Sequence, residues 1–447
     1  MQPVAAPHLI LGLGETGLSV ARYLLAQKQP FQVLDTRAEP PGAAALKAIA
    51  PSVPTHFGGW RTDWLAAAEH LYVSPGLALS EPHIQAAIAR GVQIHNDIDL
   101  YLLNTTAEVI AVTGTNGKST VVSLLEHVAQ SMGLRALAGG NIGRPALSLL
   151  EQPHDWAILE LSSFQLELVQ FLRPRVALIL NITPDHLDRY PDMSAYTAAK
   201  QRIFNGAQAG ACHLDDATTY APFPIAQQHY ALGRIEPELL SLVCQAGRWH
   251  LYAGTESVFE WAESPLVGRH NQLNALAALA AGKQCGWDLV AMAATLASYR
   301  GLPHRCERVS SHGGVTFIND SKGTNVGATL AALDGLVAEC SGHFYLLVGG
   351  QDKGADVSPL WARCAELAIT VLAFGESAPR WQQQYRAIQV YQTLDQAFAQ
   401  ACSRAQVGDW VVLSPAGASL DQYTSYAARG EHFRQLVHRC SAPEVAS

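Results

Sequence analysis

VIAVTGTNGKSTVVSLLEHVAQ, residues Val109–Gln130, decides the fold. Its apolar opening, Val109–Val112, reads as a buried strand, and Val121–Gln130 reads as a helix. Between them Thr113–Thr120, TGTNGKST, forms a phosphate-gripping loop, because the amides and dipole at the following helix start favour an anion. The full Walker pattern has a glycine five residues before its Gly-Lys pair. Val112 stands there, so only Gly117-Lys118-Ser119 matches. Glycines 114 and 117 let backbone amides approach the anion. Lys118 is placed to sit across the β/γ oxygens, and the Ser119 hydroxyl to reach Mg²⁺. The expected ATP-binding set here is Gly114, Thr115, Asn116, Gly117, Lys118, Ser119 and Thr120. The competing reading, a glycine-rich turn with a solvated lysine, leaves the strand–loop–helix order unexplained.

Outward from this loop, strand-like apolar runs alternate with helix-like segments, the pattern of parallel α/β domains. Upstream, HLIL (His8–Leu11), FQVLD (Phe31–Asp35) and LYVSPG (Leu71–Gly76) form a small Rossmann-like unit ending near Gly91–Asp97. Downstream, WAILEL (Trp156–Leu161) and VALILNI (Val176–Ile182) continue the central sheet. From about Ala207 to Ser264 the pattern breaks into short, partly antiparallel strands. A helix resumes at His270–Ala281. GLPHR (Gly301–Arg305) reads as a linker. Strands at Val315–Ser321, Phe344–Gly350, Thr370–Gly375 and Trp410–Ala416 then build a third unit. The expected units are 1–97, 98–302 and 303–447: a Rossmann-like domain, a P-loop ATPase domain with a mostly parallel sheet, and a C-terminal Rossmann-like α/β domain.

Bulk properties agree. The chain has 447 residues, 49% of them hydrophobic and 15% charged, enough to bury several cores. A net charge of −8 argues against a nucleic-acid partner, which calls for a basic face. Eight scattered cysteines include no CxxC pair and read as reduced thiols. No apolar run approaches the roughly 20 residues of a membrane helix, and the N-terminus lacks a secretory pattern. A soluble, cytoplasmic, monomeric protein is expected.

A second glycine-rich loop, GLGETG (Gly12–Gly17), also follows a strand and opens a helix, with Asp35 closing the next strand as a ribose-binding acid would. Alone it suggests NAD, although the geometry suits any nucleotide diphosphate.

Thirteen segments in order give a sharper reading: GLGETG, DTR (Asp35–Arg37), SPG (Ser74–Gly76), TGTNGKST, GGNIG (Gly139–Gly143), ELSSFQLE (Glu160–Glu167), NITPDHLDRY (Asn181–Tyr190), AAKQRIF (Ala198–Phe204), HNQLNALAAL, GLPHR, NDSKGTN (Asn319–Asn325), GGQDKGAD (Gly349–Asp356) and SPAGASLDQY (Ser414–Tyr423). Together they resemble the Mur ligases of peptidoglycan assembly, in the form that adds D-glutamate to UDP-N-acetylmuramoyl-L-alanine. The resemblance implies three domains, and reassigns the first loop from NAD to UDP. It implies UDP-sugar contacts at Glu15, Thr16, Thr36, Arg37 and Gly76. Glu15 stands where the family has a small or apolar residue, so its contact is expected through the backbone. Asn141 is expected at the γ-phosphate or the substrate carboxylate.

The implied chemistry moves the ATP γ-phosphoryl group to the alanyl carboxylate. The amino-acid amine attacks the resulting acyl phosphate, and phosphate leaves from a tetrahedral intermediate. Two anions meet in the first step, so cations are required. By resemblance Glu160 and His186, at the ends of two strands, hold one Mg²⁺ and Ser119 another, with Mn²⁺ a substitute. Lys200 maps onto a lysine that CO₂ carbamylates, making an oxygen ligand for a hard metal. That reaction needs a neutral amine and hence a lowered pKa. Asn274 matches an adenine contact, and Arg305 and Asp320 reach ATP when the GLPHR hinge closes. Asp185, Lys322, Thr324, Lys353, Ser419, Leu420 and Tyr426 are implied at D-glutamate, Tyr426 standing where the family often has Phe. Other Mur ligases and folylpolyglutamate synthases are the near alternatives. The SLDQY segment, the short first unit and the missing DNPR motif favour the glutamate adder. An NAD-dependent oxidoreductase leaves TGTNGKST unexplained, and a regulatory nucleotide-binding module would show no turnover.

Overall fold

A computed structural model of the chain describes residues 7–141, 143–186, 189–262, 266, 268–299, 301–352 and 354–441. It is an α/β protein built on three sheets. The first joins β1 (His8–Leu11), β2 (Phe31–Asp35), β3 (Thr55–Phe57), β4 (His70–Val73) and β5 (Gln93–His95) in the order β3-β2-β1-β4-β5, all parallel.

The central sheet contains β6 (Glu108–Thr113), β7 (Ala136–Gly140), β8 (Trp156–Glu160), β9 (Val176–Ile179), β10 (Ala209–His213), β11 (Ala226–Leu232), β12 (Leu240–Gln245), β13 (Arg248–Ala253) and β14 (Glu256–Trp261). Their order is β14-β13-β12-β11-β10-β9-β6-β8-β7. The broken pattern expected around 207–264 divides in two. β10, β11 and β12 pair in parallel, and β12, β13 and β14 form antiparallel hairpins. Ala246 and Gly247, both at positive φ, turn the first hairpin in the manner a tight two-residue loop requires.

β6 lies between β8 and β9, buried on both faces. Ile110 and Val112 pack with Val121, Leu124 and Leu125 of the helix Lys118–Ser131 and with the alanine-rich helix Arg269–Gln284. Val109 and Ala111 face the opposite core. That core runs into the first unit, joining Ile10, Leu13 and Tyr72 to Ala157 and Leu159 through Ile98 and Tyr101 of the helix Asp97–Asn104. The first sheet and the phosphate loop are therefore tied through packed apolar side chains.

The third sheet holds β15 (Glu307–His312), β16 (Val315–Asn319), β17 (Phe344–Gly349), β18 (Thr370–Phe374), β19 (Gln389–Tyr391) and β20 (Trp410–Ala416), ordered β15-β16-β20-β17-β18-β19. β15, which the sequence pattern did not announce, pairs antiparallel to β16 at the edge. β7 was also missed. Its sequence, ALAGG, has poor strand propensity. A Cβ on Gly140 would lie 2.4 Å from the Glu160 carbonyl oxygen, so close approach to β8 selects glycine over a better strand former. No helix among the described residues is long and apolar enough to cross a membrane.

Candidate functional site

Parallel strands gather their carboxyl ends on one edge, and ligands bind outside that edge. Here β6 delivers the phosphate loop, β8 delivers Glu160, and β9 leads into Asn181–His186. Register places Val112 opposite Glu160 and Thr113 opposite Ile179, so the loop emerges between them. Gly114 and Gly117 both take positive φ, and a Cβ on Gly117 would meet the Asn274 side chain at 2.5 Å. Asn274 thus lies against the phosphate loop.

The loop is pinned from beneath. The Asn181 side chain accepts from the Asn116 amide at 2.9 Å and donates to its carbonyl at 3.1 Å. Thr115 Oγ1 meets the Thr183 backbone and the Tyr196 hydroxyl. Sequence reasoning passed over Asn181, Thr183 and Tyr196. The first two lie inside NITPDHLDRY, but strand periodicity cannot tell which polar residues beyond a strand end turn inward.

Lys118 Nζ donates to the Gly114 and Thr115 carbonyls, each at 2.9 Å. Lys200, only 2% exposed on the helix Met193–Gln201, also donates to the Gly114 carbonyl at 2.9 Å. One acceptor therefore serves two amines. Burial lowers the Lys118 pKa against the pull of Glu160. Burial, with help from neighbouring Lys118, brings Lys200 down to about 6. Two ammonium groups on one buried carbonyl is a costly arrangement, and Lys200 relieves it by giving up its proton.

Glu160 is buried at 2% exposure. Its Oε1 accepts from Asn141 Nδ2 at 2.8 Å, while Oε2 has no hydrogen-bond partner among the described residues. A buried carboxylate oxygen left unpaired is expensive unless something else meets it. His186 stands at φ +55 beyond β9, its ring edge-on to Phe164 and 3.8 Å from Asp185. Among the described residues, no three His, Cys, Asp or Glu side chains converge to hold a metal ion.

A single cleft of about 1030 Å³ runs across the three units. Glu15, Thr16, Arg37, Gly76 and Asn141 line one end, with Thr115–Thr120, Glu160, Asp185, His186 and Lys200 in the middle. Asn274, Arg305, Asp320, Lys322 and Thr324 line the other end. Gly114 contributes through its carbonyl. Thr36 lies outside the lining. At the first loop, Asp35 is fully engaged: it accepts from the Leu13 amide at 2.7 Å and takes three bonds from Arg37. Those bonds overcome its burial and hold its pKa below the usual carboxylate value. With both oxygens occupied, Asp35 braces the loop and is poorly placed to receive a ribose hydroxyl, which removes the structural basis of the NAD reading. Arg189, which sequence reasoning missed, lies 4.1 Å over the Phe164 ring and donates to the Pro75 carbonyl, fastening the SPG loop to the central unit.

From the third unit, Arg305 Nη2 donates to Ser119 Oγ at 2.7 Å, so the linker already touches the phosphate loop. Asp320 is buried, bonded to Ser414 Oγ and the Cys306 amide, and burial lifts its pKa to about 6. Lys322 lies 4.6 Å over the Tyr426 ring. Ser419 is buried and Leu420 is 66% exposed, and neither they nor Tyr426 line the cleft. Lys353 lies outside the described residues.

Compared with known proteins, residues 6–96 match the family model for the Mur ligase MurD-like N-terminal domain. Residues 112–282 match the Mur ligase middle domain, and 304–417 the Mur ligase glutamate ligase domain. The chain is 46% identical to the UDP-N-acetylmuramoylalanine–D-glutamate ligase of Nitrosococcus oceani, covering 98% of each chain. It is 44% identical to the enzyme of that name from Marinobacter nauticus, covering 96% of this chain and 97% of the other. In fold it resembles the crystal structure of UDP-N-acetylmuramate-alanine ligase from Thermotoga maritima, with a TM-score of 0.63, 18% identity, and 97% and 99% coverage. It also resembles the MurF ligase of Thermotoga maritima in complex with ADP, with a TM-score of 0.60, 16% identity, and 98% and 96% coverage.

Proposed function

Because this chain belongs to the Mur ligase family, we propose that it joins D-glutamate to UDP-N-acetylmuramoyl-L-alanine, consuming ATP and releasing ADP and phosphate. The observation that carries the chemistry is a pair of amines, half-buried Lys118 and buried Lys200, sharing the Gly114 carbonyl.

An anion entering the loop exchanges a weak partner for a strong one. Lys118 releases two carbonyls and takes phosphate oxygens, joined by the amides of the loop and by Arg305 from the linker. Lys118 stabilises the charge that spreads over the transferring phosphoryl group. The acceptor's UDP moiety lies along Glu15, Thr16, Arg37 and Gly76 of the cleft, its carboxylate reaching inward past Asn141, and Thr36, outside the lining, is assigned to it by the family resemblance alone. Asn141 also fixes the Glu160 carboxyl through its hydrogen bond. The incoming amino acid enters by Asp185, Lys322 and Thr324 of the cleft, its amine attacking the acyl phosphate, and Lys353, Ser419, Leu420 and Tyr426 are assigned to it by the family resemblance alone. Enclosure by the three units limits hydrolysis of that intermediate.

The residues suit a divalent cation such as Mg²⁺. Glu160 Oε2 is an unpaired buried carboxylate oxygen, and the Lys200 amine is neutral above about pH 6 and so open to carbamylation. Glu160, His186 and a carbamate on Lys200 would hold one ion and Ser119 another. Bound there, the ions would neutralise the phosphate and carboxylate charges that must approach each other.

We take the functional units to be 1–97, 98–302 and 303–447, acting as a monomer in the cytoplasm, where ATP is available. The deciding measurement is phosphate release with ATP, Mg²⁺ and UDP-N-acetylmuramoyl-L-alanine over a panel of D- and L-amino acids. Release with D-glutamate is expected. Release with another amino acid and none with D-glutamate would overturn the substrate assignment.

A further inference from the structure

Arg429, on the helix Tyr426–Ser441, is the largest buried charge outside the phosphate site among the described residues, at 0% exposure. Arginines so buried are ordinarily matched by a carboxylate. This one is not. Nε donates to Ser321 Oγ at 3.0 Å, and Nη2 to the Ser321 carbonyl at 2.9 Å. Both terminal nitrogens donate to the Gly417 carbonyl, at 3.2 and 3.1 Å, and Nη1 reaches the Gly349 carbonyl at 3.3 Å. Every acceptor is neutral. Asp421 and Asp320 favour its charge through space only, their hydrogen bonds going to the Glu376 amide and to Ser414 and Cys306. Burial lowers its pKa to about 10, which still leaves it charged at neutral pH.

The acceptors have a pattern. Ser321, Gly349 and Gly417 stand at or just beyond the carboxyl ends of β16, β17 and β20, three neighbouring strands of the third sheet. The loops they begin carry Lys322 and Thr324, then Gln351 and Asp352, then Ser419. Close packing seals the arrangement. A Cβ on Gly350 would lie 2.0 Å from the Ala418 carbonyl and 3.0 Å from Arg429 Nη1, so the second and third loops touch with the guanidinium beneath them. Ser321 Oγ in turn donates to the Tyr426 carbonyl, returning the first loop to the start of the arginine's own helix.

We infer that Arg429 is a positioning residue for the amino-acid site: one buried guanidinium, hydrogen-bonded only to neutral acceptors, holds three loops in a single arrangement and favours a dicarboxylate at their mouth. The inference rests on the reading that these loops receive the incoming amino acid. A neutral side chain of similar length could fill the space, but it could neither tie three sets of carbonyls together nor supply a positive field at the sheet edge. A fixed charge that no carboxylate touches directly contributes a positive field at the sheet edge, and that field favours an anionic ligand.

Steady-state kinetics on the full chain test this. Arg429→Ala should raise KM for the amino acid by at least about tenfold, the equivalent of 1.4 kcal/mol, and leave KM for the UDP acceptor within about twofold. Millimolar guanidinium ion should lower the raised KM again, and methylammonium should not. Arg429→Lys should fall between the native chain and Arg429→Ala, because it keeps the charge without the fork. Equal shifts in all three Michaelis constants, or no guanidinium rescue, would overturn the inference. If Arg429→Ala does not fold, Ser321→Ala, which removes one acceptor, should raise the amino-acid KM about threefold and no other, and an unchanged value overturns the inference. If the native chain uses an amino acid other than D-glutamate, the D-glutamate reading falls and Arg429 is judged on the KM for that amino acid.

Discussion

The two glycine-rich loops, Gly12–Gly17 and Gly114–Ser119, are alike in local construction and opposite in electrostatics. Each follows a buried parallel strand flanked on both sides by other strands, bends at a positive-φ glycine and opens a helix. In the first loop the charges are settled internally, because Asp35 meets the Leu13 amide and Arg37. In the second they are not. Two amines converge on one carbonyl, Glu160 Oε2 has no partner, and Arg305 crosses from another unit to Ser119. The first loop is shaped to hold a ligand, while the second is charged to change one. Unsatisfied buried groups cost stability, and they persist where a ligand completes them.

The contrast can be broken most severely at Lys118. Lys118→Met should reduce phosphate release by roughly 10³-fold or more while circular dichroism stays native. A residual rate near that of the native chain would mean the second loop does not drive the chemistry. Lys200→Ala should lose roughly 10²-fold or more, and added short carboxylic acids should restore part of it by standing in for a carbamate. No restoration in a folded variant would count against that role.

Lys200 also predicts a pH signature. Its folded value, about 6, lies below the ordinary lysine value of 10.5, so between these values the unfolded chain binds the extra proton. The native chain should therefore gain stability relative to Lys200→Met as pH rises across that window, by at most about 1.4 kcal/mol per pH unit. Denaturant titrations of the two proteins in CO₂-free buffer at pH 6.5 and 8.5 would measure it. Parallel curves would show that the amine is not buried in this way.

The first loop should respond in the other currency, fold and binding. A Cβ on Gly17 would lie 2.0 Å from the Gly12 carbonyl oxygen, so Gly17→Ala should cost about 1–3 kcal/mol by urea unfolding. Asp35→Asn should be smallest. It frees Arg37 and loosens the Leu13 amide, and should raise KM for the UDP acceptor by roughly tenfold with KM for ATP unchanged. An equal rise in both constants would erase the distinction between the loops.

Most strands were legible because both faces of a parallel sheet are covered, leaving continuous apolar runs such as Val109–Val112 and Val176–Ile179. β3, β7, β15 and β19 were not. β7 is made of small residues that its neighbour's proximity demands, β15 is an edge strand with a polar sequence, and β3 and β19 are edge strands of only three residues. At the site, TGTNGKST announced itself because a phosphate loop is local: its amides, lysine and helix start are consecutive residues. Glu160, His186 and Lys200 carried no such signal of their own, and only the resemblance in motif order selected them.

The sequence by itself determined the alternation of strand and helix, the phosphate loop and the family to which the motifs belong. These are written in neighbouring residues and in their order along the chain. Tertiary structure decided which charges are left without partners. That Lys200 shares a carbonyl with Lys118, that Asp35 is consumed by Arg37, and that Arg429 lies beneath three loops bonded only to neutral acceptors depend on burial and on contacts between distant segments. The free energy of a charge is set by its surroundings in space, and a chain read in one dimension does not contain them.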